Sequence, residues 1–181
     1  VAVRLIAGTL GRRKIEVPDT LGLRPTPDRV RETLFNWLQS EIVGSACLDL
    51  FAGSGALGLE AYSRGASLVV NVELDEKAYK VLLKRSVEWS LKPSYSVIKA
   101  NALHWLTQYK GAGFDIIFLD PPFQLACLDE VIHLIQAQGS LKPSGYLYIE
   151  KAHQQKIAKQ IDVVKERKAG MLTYGLYRLT H

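Results

Sequence analysis

Two cysteines in 181 residues leave no material for a disulfide framework, which excludes the small secreted scaffolds held by several bridges. Cys47 falls inside an apolar run and Cys127 stands alone, so a reducing, cytoplasmic setting is expected. No apolar run approaches the roughly 20 residues that span a bilayer, and no charged-then-apolar leader opens the chain at Val1. His104, His133, His153 and His181 show no ligand spacing with one another or with the cysteines, so no metal site is expected. Internal repeats and low-complexity tracts are absent as well. What is left is a chain of the right length for one α/β domain with its own core.

The net charge of +5 is unevenly spread. Residues 1–31 carry seven Lys/Arg against three acids, residues 151–181 seven against two, and residues 32–150 nine against thirteen. Two basic flanks around an acidic centre point to a polyanionic partner, nucleic acid above all.

The chain is organised around residues 47–65. The apolar run 46–51 leads directly into Gly53-Ser54-Gly55-Ala56-Leu57-Gly58 and then into a helix-like segment. Strand, glycine loop and helix in this order bind nucleotide-like cofactors, because glycines let backbone N–H groups approach the ligand. Glu73 follows Gly53 by twenty residues, where a carboxylate can hold ribose hydroxyls. That pairing fits a dinucleotide and an S-adenosylmethionine fold equally well. Asp49 separates them: it stands where a pyrophosphate would approach, and like charges at short range repel by on the order of several kcal/mol in a partly desolvated cleft. A cationic sulfonium and amino group would be attracted instead.

In chain order, residues 3–6 and 14–17 read as a β-hairpin with Arg12 and Arg13 exposed at its tip. Arg24-Pro25-Thr26-Pro27 then punctuates the chain, with Thr26 as N-cap and Pro27 in the first helical position. The helix is expected to reach about residue 39, burying Val30, Leu34, Trp37 and Leu38 and leaving Asp28, Arg29, Arg31 and Glu32 off the buried face. These four serve equally well as surface ion-pair partners or as substrate contacts. Strand and helix alternate thereafter: strands at 46–51, 67–72, 95–99, 114–119 and 146–150, helices at 55–64, 76–90, 102–109 and 126–138. Such alternation predicts a parallel sheet covered on both faces. Asp115 is expected only to start its strand. A weak helix is expected over 157–161. Strands at 162–168 and 171–179, joined tightly through Ala169 and Gly170, should form an antiparallel pair.

The strand 114–119 ends in Asp120-Pro121-Pro122-Phe123. Ligands of open α/β sheets bind at the carboxyl ends of the strands, so this tetrapeptide and the glycine loop should face one cleft. A planar exocyclic amine is a poor nucleophile because its lone pair is delocalised into the base. The Asp120 carboxylate and the Pro121 carbonyl could draw it toward tetrahedral geometry by accepting its two N–H bonds. Two prolines remove donors and stiffen the turn, and Phe123 could stack on the base. Asn101, at the same end of the sheet, could bond an adenine or merely shape a turn.

Residues 24–36, residues 49–58 and Asp120-Pro121-Pro122-Phe123 together resemble the bacterial small-subunit ribosomal RNA guanine-N2 methyltransferases. The likeness spans nearly the whole chain, and the Arg-Pro-Thr segment is its most specific part. The resemblance implies a class I S-adenosylmethionine-dependent, Rossmann-like fold: a mostly parallel sheet closed by an antiparallel C-terminal hairpin, with residues 1–25 as an RNA-contacting β-hairpin extension of a catalytic core at 26–181. It implies methyl transfer from S-adenosyl-L-methionine, without a metal, to the N2 amine of one guanine in 16S rRNA on the assembled small ribosomal subunit or an assembly intermediate. The enzyme would be a monomer. Asp49, Gly53 and Gly55 would border the methionine part, with Phe51, Ala52 and Ser54 beside them. Glu73 would lie at the ribose and Asn101 at the adenine, with Leu74 and Ala102 also against the cofactor, and Asp120, Pro121, Pro122 and Phe123 at the guanine. Arg12, Arg13, Arg24, Thr26, Arg29 and Arg31 would hold RNA. Pro27 departs from the small polar residue more often expected there.

Three rivals remain on sequence grounds. An adenine-N6 DNA methyltransferase could use the same tetrapeptide, but no separate base-reading domain fits in 181 residues. A non-catalytic ribosome assembly factor on the same fold is disfavoured by the intact Gly53, Gly55, Glu73 and Asp120. Asp49 disfavours a dinucleotide oxidoreductase.

Overall fold

The computed structural model describes residues 2–19, 24–122, 126–157 and 160–180. A two-stranded antiparallel ribbon, β1 (Ala2–Arg4) and β2 (Lys14–Glu16), precedes α1 (Asp28–Trp37). Then follow β3 (Ala46–Asp49), α2 (Ala56–Ser63), β4 (Leu68–Glu73), α3 (Glu76–Glu88), β5 (Tyr95–Lys99), α4 (Ala102–Gln108), β6 (Phe114–Leu119), α5 (Leu128–Gln138), β7 (Leu141–Ala152), β8 (Ile161–Ala169) and β9 (Leu172–Leu179). The seven-stranded sheet runs β5-β4-β3-β6-β7-β9-β8. Its first five strands are parallel, while β9 pairs antiparallel with both β7 and β8. No helix forms among the described residues of 157–161, and Ile161 already belongs to β8.

Because successive strand residues face opposite sides, each central strand feeds two cores. Cys47, Val69, Ile116 and Tyr148 pack under α1, α2 and the N-terminal ribbon. Their neighbours Leu48, Val70, Ile117 and Ile149 pack under α4 and α5. Full burial of one such aliphatic side chain contributes about 1.5–3 kcal/mol. Helix α2 is buried nearly all round, from Ala56 through Ala61 and at Ser63, because the sheet covers one side and the ribbon the other. Gly58 permits the close approach: a Cβ there would collide with the Asn71 side chain on β4.

The ribbon is tied down by polar groups. Ile6 and Ala7 donate their N–H groups to the two oxygens of Glu60 at 2.9 and 3.1 Å, and Leu10 donates to the Ser63 hydroxyl at 2.9 Å. Glu60 is fully buried and also accepts from Arg64 Nε at 2.8 Å.

Two expectations about α1 are corrected. Pro27, not Thr26, occupies the N-cap, and no side chain caps this helix. Arg31 is fully buried rather than off the buried face: it donates to the Thr26 and Arg4 carbonyls, pairs with Asp28, and lies 3.7 Å from Glu60. Three hydrogen bonds from Nε and Nη2, with Asp28 and Glu60 as counter-charges, offset the cost of removing that guanidinium from water, while Nη1 has no hydrogen-bond partner among the described residues.

Candidate active site

The parallel strands all end at one edge, and four of them end in acids. Asp49 closes β3, Glu73 closes β4, Asp120 follows β6, and Glu150 lies near the end of β7. In the β6–β7 register Leu119 stands beside Ile149, so Asp120 and Glu150 are next neighbours. An apolar strand running into an acid is a signal visible in the sequence. Glu150 carries it as Asp49, Glu73 and Asp120 do, although it is not among the site residues expected from the sequence.

A cleft of about 540 Å³ opens above this row. Its wall includes Asp49, Phe51, Ala52, Gly53, Ser54, Glu73, Leu74, Asn101, Ala102, Asp120, Pro121 and Pro122. The glycine loop and the Asp-Pro-Pro turn therefore share one cavity. Phe123 lies outside the described residues. Gly55 is not in the wall; it is the N-cap of α2 with φ 78°, a conformation that favours glycine. Arg24, Pro25 and Thr26 close one side, and Asp75, Glu76 and Cys127 were not anticipated.

Glu73 organises the loop. Its Oε2 accepts the Gly53 N–H and its Oε1 the Asp75 N–H, both at 2.7 Å. Each oxygen keeps further lone pairs for a ligand. Asn101 caps α4 by accepting the His104 N–H at 3.0 Å while still facing the cleft, so both of its expected roles are compatible. From behind, Arg85 on α3 donates to the Ser54 carbonyl at 2.8 Å and to the Glu16 carbonyl at 2.9 Å.

The floor is electrically unusual. Asp49 is buried, and that desolvation pushes its carboxyl up to about 7, helped by the nearby charge of Glu73 and opposed by the Phe51 and Gly58 N–H groups. Burial also raises Asp120 well above the ordinary carboxylate range, with the charges of Glu150 and Asp49 adding to it and the Thr26 hydroxyl opposing. Glu150 is raised by burial too, although Thr26 and Tyr148 donate to it. The lining holds five acids, Asp49, Glu73, Asp75, Glu76 and Asp120, against the single base Arg24 among the described residues. Such a cleft favours a cationic ligand and repels a polyphosphate. Among the described residues no group of side chains has the makings of a metal site.

Of the residues assigned to RNA, Arg12, Arg13, Arg24 and Arg29 are exposed, and Arg13 lies over the Trp89 ring at 5.1 Å. The assignments of Thr26 and Arg31 are corrected. Arg31 is interior, and the buried Thr26 hydroxyl is engaged with Glu150 and Asp120 rather than turned outward. Asp115 also does more than start a strand: it accepts the Ala46 N–H and pairs with Lys142. No helix among the described residues is long and apolar enough to cross a membrane.

A glycine loop and an acidic strand end facing an Asp-Pro-Pro turn, on a parallel sheet closed by an antiparallel pair, define the class I S-adenosylmethionine-dependent methyltransferase fold. Comparison with known proteins narrows this class. The family described as Conserved hypothetical protein 95 matches residues 3–178. Ribosomal RNA small subunit methyltransferase D of Escherichia coli is 42% identical over 180 residues, covering 97% of this chain and 89% of that protein. Its namesake in Haemophilus influenzae is 42% identical over 182 aligned positions, covering 97% and 93%. Among solved structures, a candidate methyltransferase from Escherichia coli superposes with a TM-score of 0.88 at 40% identity, over 99% of this chain and 98% of that one. A candidate methylase from Haemophilus influenzae gives 0.85 at 36% identity over the full length of both chains. The chain belongs to the ribosomal RNA small subunit methyltransferase D family.

Proposed function

We propose that this chain transfers a methyl group from S-adenosyl-L-methionine to the N2 amine of one guanine in 16S rRNA, acting in the cytoplasm as a monomer on the small ribosomal subunit. The observation that carries the reading is the shared cleft, in which Asp120 and Pro121 open into the same cavity as the Gly53 loop and Glu73. Five acids against one base among the described lining residues suit a ligand bearing a sulfonium and an ammonium. Asp49, Gly53 and Ser54 would hold its methionine part, Glu73 its ribose, and Leu74, Asn101 and Ala102 its adenine. When bound, it supplies the electrophilic methyl.

The chain's own residues do the rest. Asp120 and the Pro121 carbonyl accept the amine's N–H bonds and turn its lone pair out of the base plane. Two prolines hold those acceptors fixed before the substrate arrives, so little reorganisation is needed at the moment of reaction. The half-buried position of Asp120 strengthens its hydrogen bonds to the amine. Phe123 would stack on the base. A guanine within folded RNA must be splayed out to reach this depth. Residues 1–25, carrying Arg12, Arg13 and Arg24, form the RNA-contacting extension of a single domain, with Arg29 beside them.

The test is transfer of labelled methyl to unmodified small subunits, free 16S rRNA and duplex DNA in parallel, with the modified nucleoside identified by mass. N2-methylguanosine from the subunits is the expected product. N6-methyladenine in DNA, or no transfer despite tight cofactor binding, would overturn the proposal.

A further inference from the structure

Thr26 sits between two carboxyl groups. Its Oγ1 lies 2.8 Å from Glu150 Oε1 and 3.3 Å from Asp120 Oδ2, and the Tyr148 hydroxyl donates to the same Glu150 oxygen at 2.8 Å. A hydroxyl has one hydrogen and can donate to one oxygen at a time. With both carboxyls charged, one of the two Thr26 contacts would set lone pair against lone pair. One shared proton removes the conflict: the protonated carboxyl donates to Thr26 Oγ1 while the Thr26 O–H donates to the other. Neither carboxyl has an ion pair among the described residues. Holding two adjacent charges there, one buried and one half-buried, would be costly.

We propose that Asp120, Thr26 and Glu150 form a proton-sharing relay, with Glu150 a positioning residue that sets the charge Asp120 presents to the substrate amine. The inference rests on the function proposed above. With the shared proton on Glu150, Asp120 faces the amine as a carboxylate. As the new C–N bond forms and the C–S bond breaks with its electron pair left on sulfur, the amine nitrogen sheds one proton to Asp120. The other groups facing the pair are Asp49 at the end of β3, Tyr148 on β7, Tyr174 opposite Glu150 on β9, Arg24 in the cleft wall, and Arg31 of α1 through the Thr26 carbonyl. The arrangement also accounts for the Arg-Pro-Thr segment, whose threonine is buried at the heart of the site.

The test follows the carboxyl carbons of Asp120 and Glu150 by NMR against pH in the free, isotope-labelled protein, alongside the pH profile of methyl transfer. In the wild type both carbons should respond in both titration steps, as coupled sites do. Glu150→Gln removes a like charge, so the Asp120 titration and the acidic limb of the rate profile should move together to lower pH. Thr26→Val removes the donor that favours ionised Asp120 and should move them to higher pH, while Thr26→Ser restores the wild-type positions. A purely structural Glu150 would lower the rate without moving the limb. An Asp120 titration unmoved in both Glu150→Gln and Thr26→Val would overturn the relay. Coupled titration in a protein that transfers no methyl would sustain it and overturn the proposed function instead.

Discussion

Asp49 should make cofactor affinity depend on pH within the physiological range. The cationic ligand is attracted only to the ionised carboxyl, whose midpoint is raised by burial to about 7. If binding requires that form, the dissociation constant is multiplied by about 1.1 at pH 8, about 2 at pH 7 and about 11 at pH 6. Affinity should therefore fall about tenfold between pH 8 and pH 6. Asp49→Asn should bind weakly at every pH, with a flat profile, because the amide keeps an acceptor for the Phe51 N–H but carries no charge.

The same substitution has an opposite effect on the free protein. The folded midpoint lies above the ordinary value of 3.8, so the contribution of Asp49 to stability is fully present below that value and is lost as pH rises through about 7. Above it, the buried charge costs up to about 4 kcal/mol, which Asp49→Asn should recover in part at pH 8. Isothermal calorimetry at pH 6, 7 and 8, in buffers of different ionisation enthalpy, reads affinity and proton release together, and thermal unfolding without ligand reads the stability. A wild-type affinity that is flat over this range, or a slope that survives in Asp49→Asn, would refute the assignment.

Asp120→Ala should lower methyl transfer about 10²–10³-fold, the usual cost of one preorganised polar group, while cofactor affinity by calorimetry stays within about twofold. Equal loss of affinity would count against its place at the amine. Replacing Arg12 and Arg13 together should weaken RNA binding and make the plot of log affinity against log salt shallower by about 1.4 for single-stranded contacts, as measured by filter binding over a salt series. An unchanged slope would move the RNA surface elsewhere. Glu60→Ala should destabilise the fold by about 3–5 kcal/mol in urea titrations, because it removes the buried one of Arg31's two carboxylate partners and leaves the Ile6 and Ala7 N–H groups without their acceptor; a loss under 1 kcal/mol would show that water replaces the carboxylate.

The sheet was legible because its strands are short apolar runs separated by helices of clear period, and the residues of β5 and β6 coincide with the expected strands. The cofactor side of the cleft was legible for a local reason: Asp49, Gly53, Gly55 and Glu73 lie in one strand-loop-helix-strand unit whose spacing encodes the geometry. The remainder depended on partners far away in sequence. Thr26 looks like an N-cap until the end of β7 places Glu150, 124 residues later, within reach of its hydroxyl. Arg31 lies off the apolar stripe by period alone, yet the Arg4 carbonyl and Glu60 draw it inside. Glu150 ends an apolar strand as Asp120 does, but only the register of β6 and β7 shows that the two acids meet.

A recognition module can be exchanged between enzymes only if the seam beneath it is neutral once exposed. The seam under the N-terminal ribbon is not. Cutting it away would leave Glu60 without two of its donors and open Arg31 and Ser63 to solvent, while Arg85 would keep its hold on Ser54 but lose the Glu16 carbonyl. A truncated chain would therefore report a damaged fold rather than a missing contact. Grafting this ribbon onto another methyltransferase would require α2 to travel with it, since the acid that grips the ribbon lies in the helix that follows the glycine loop.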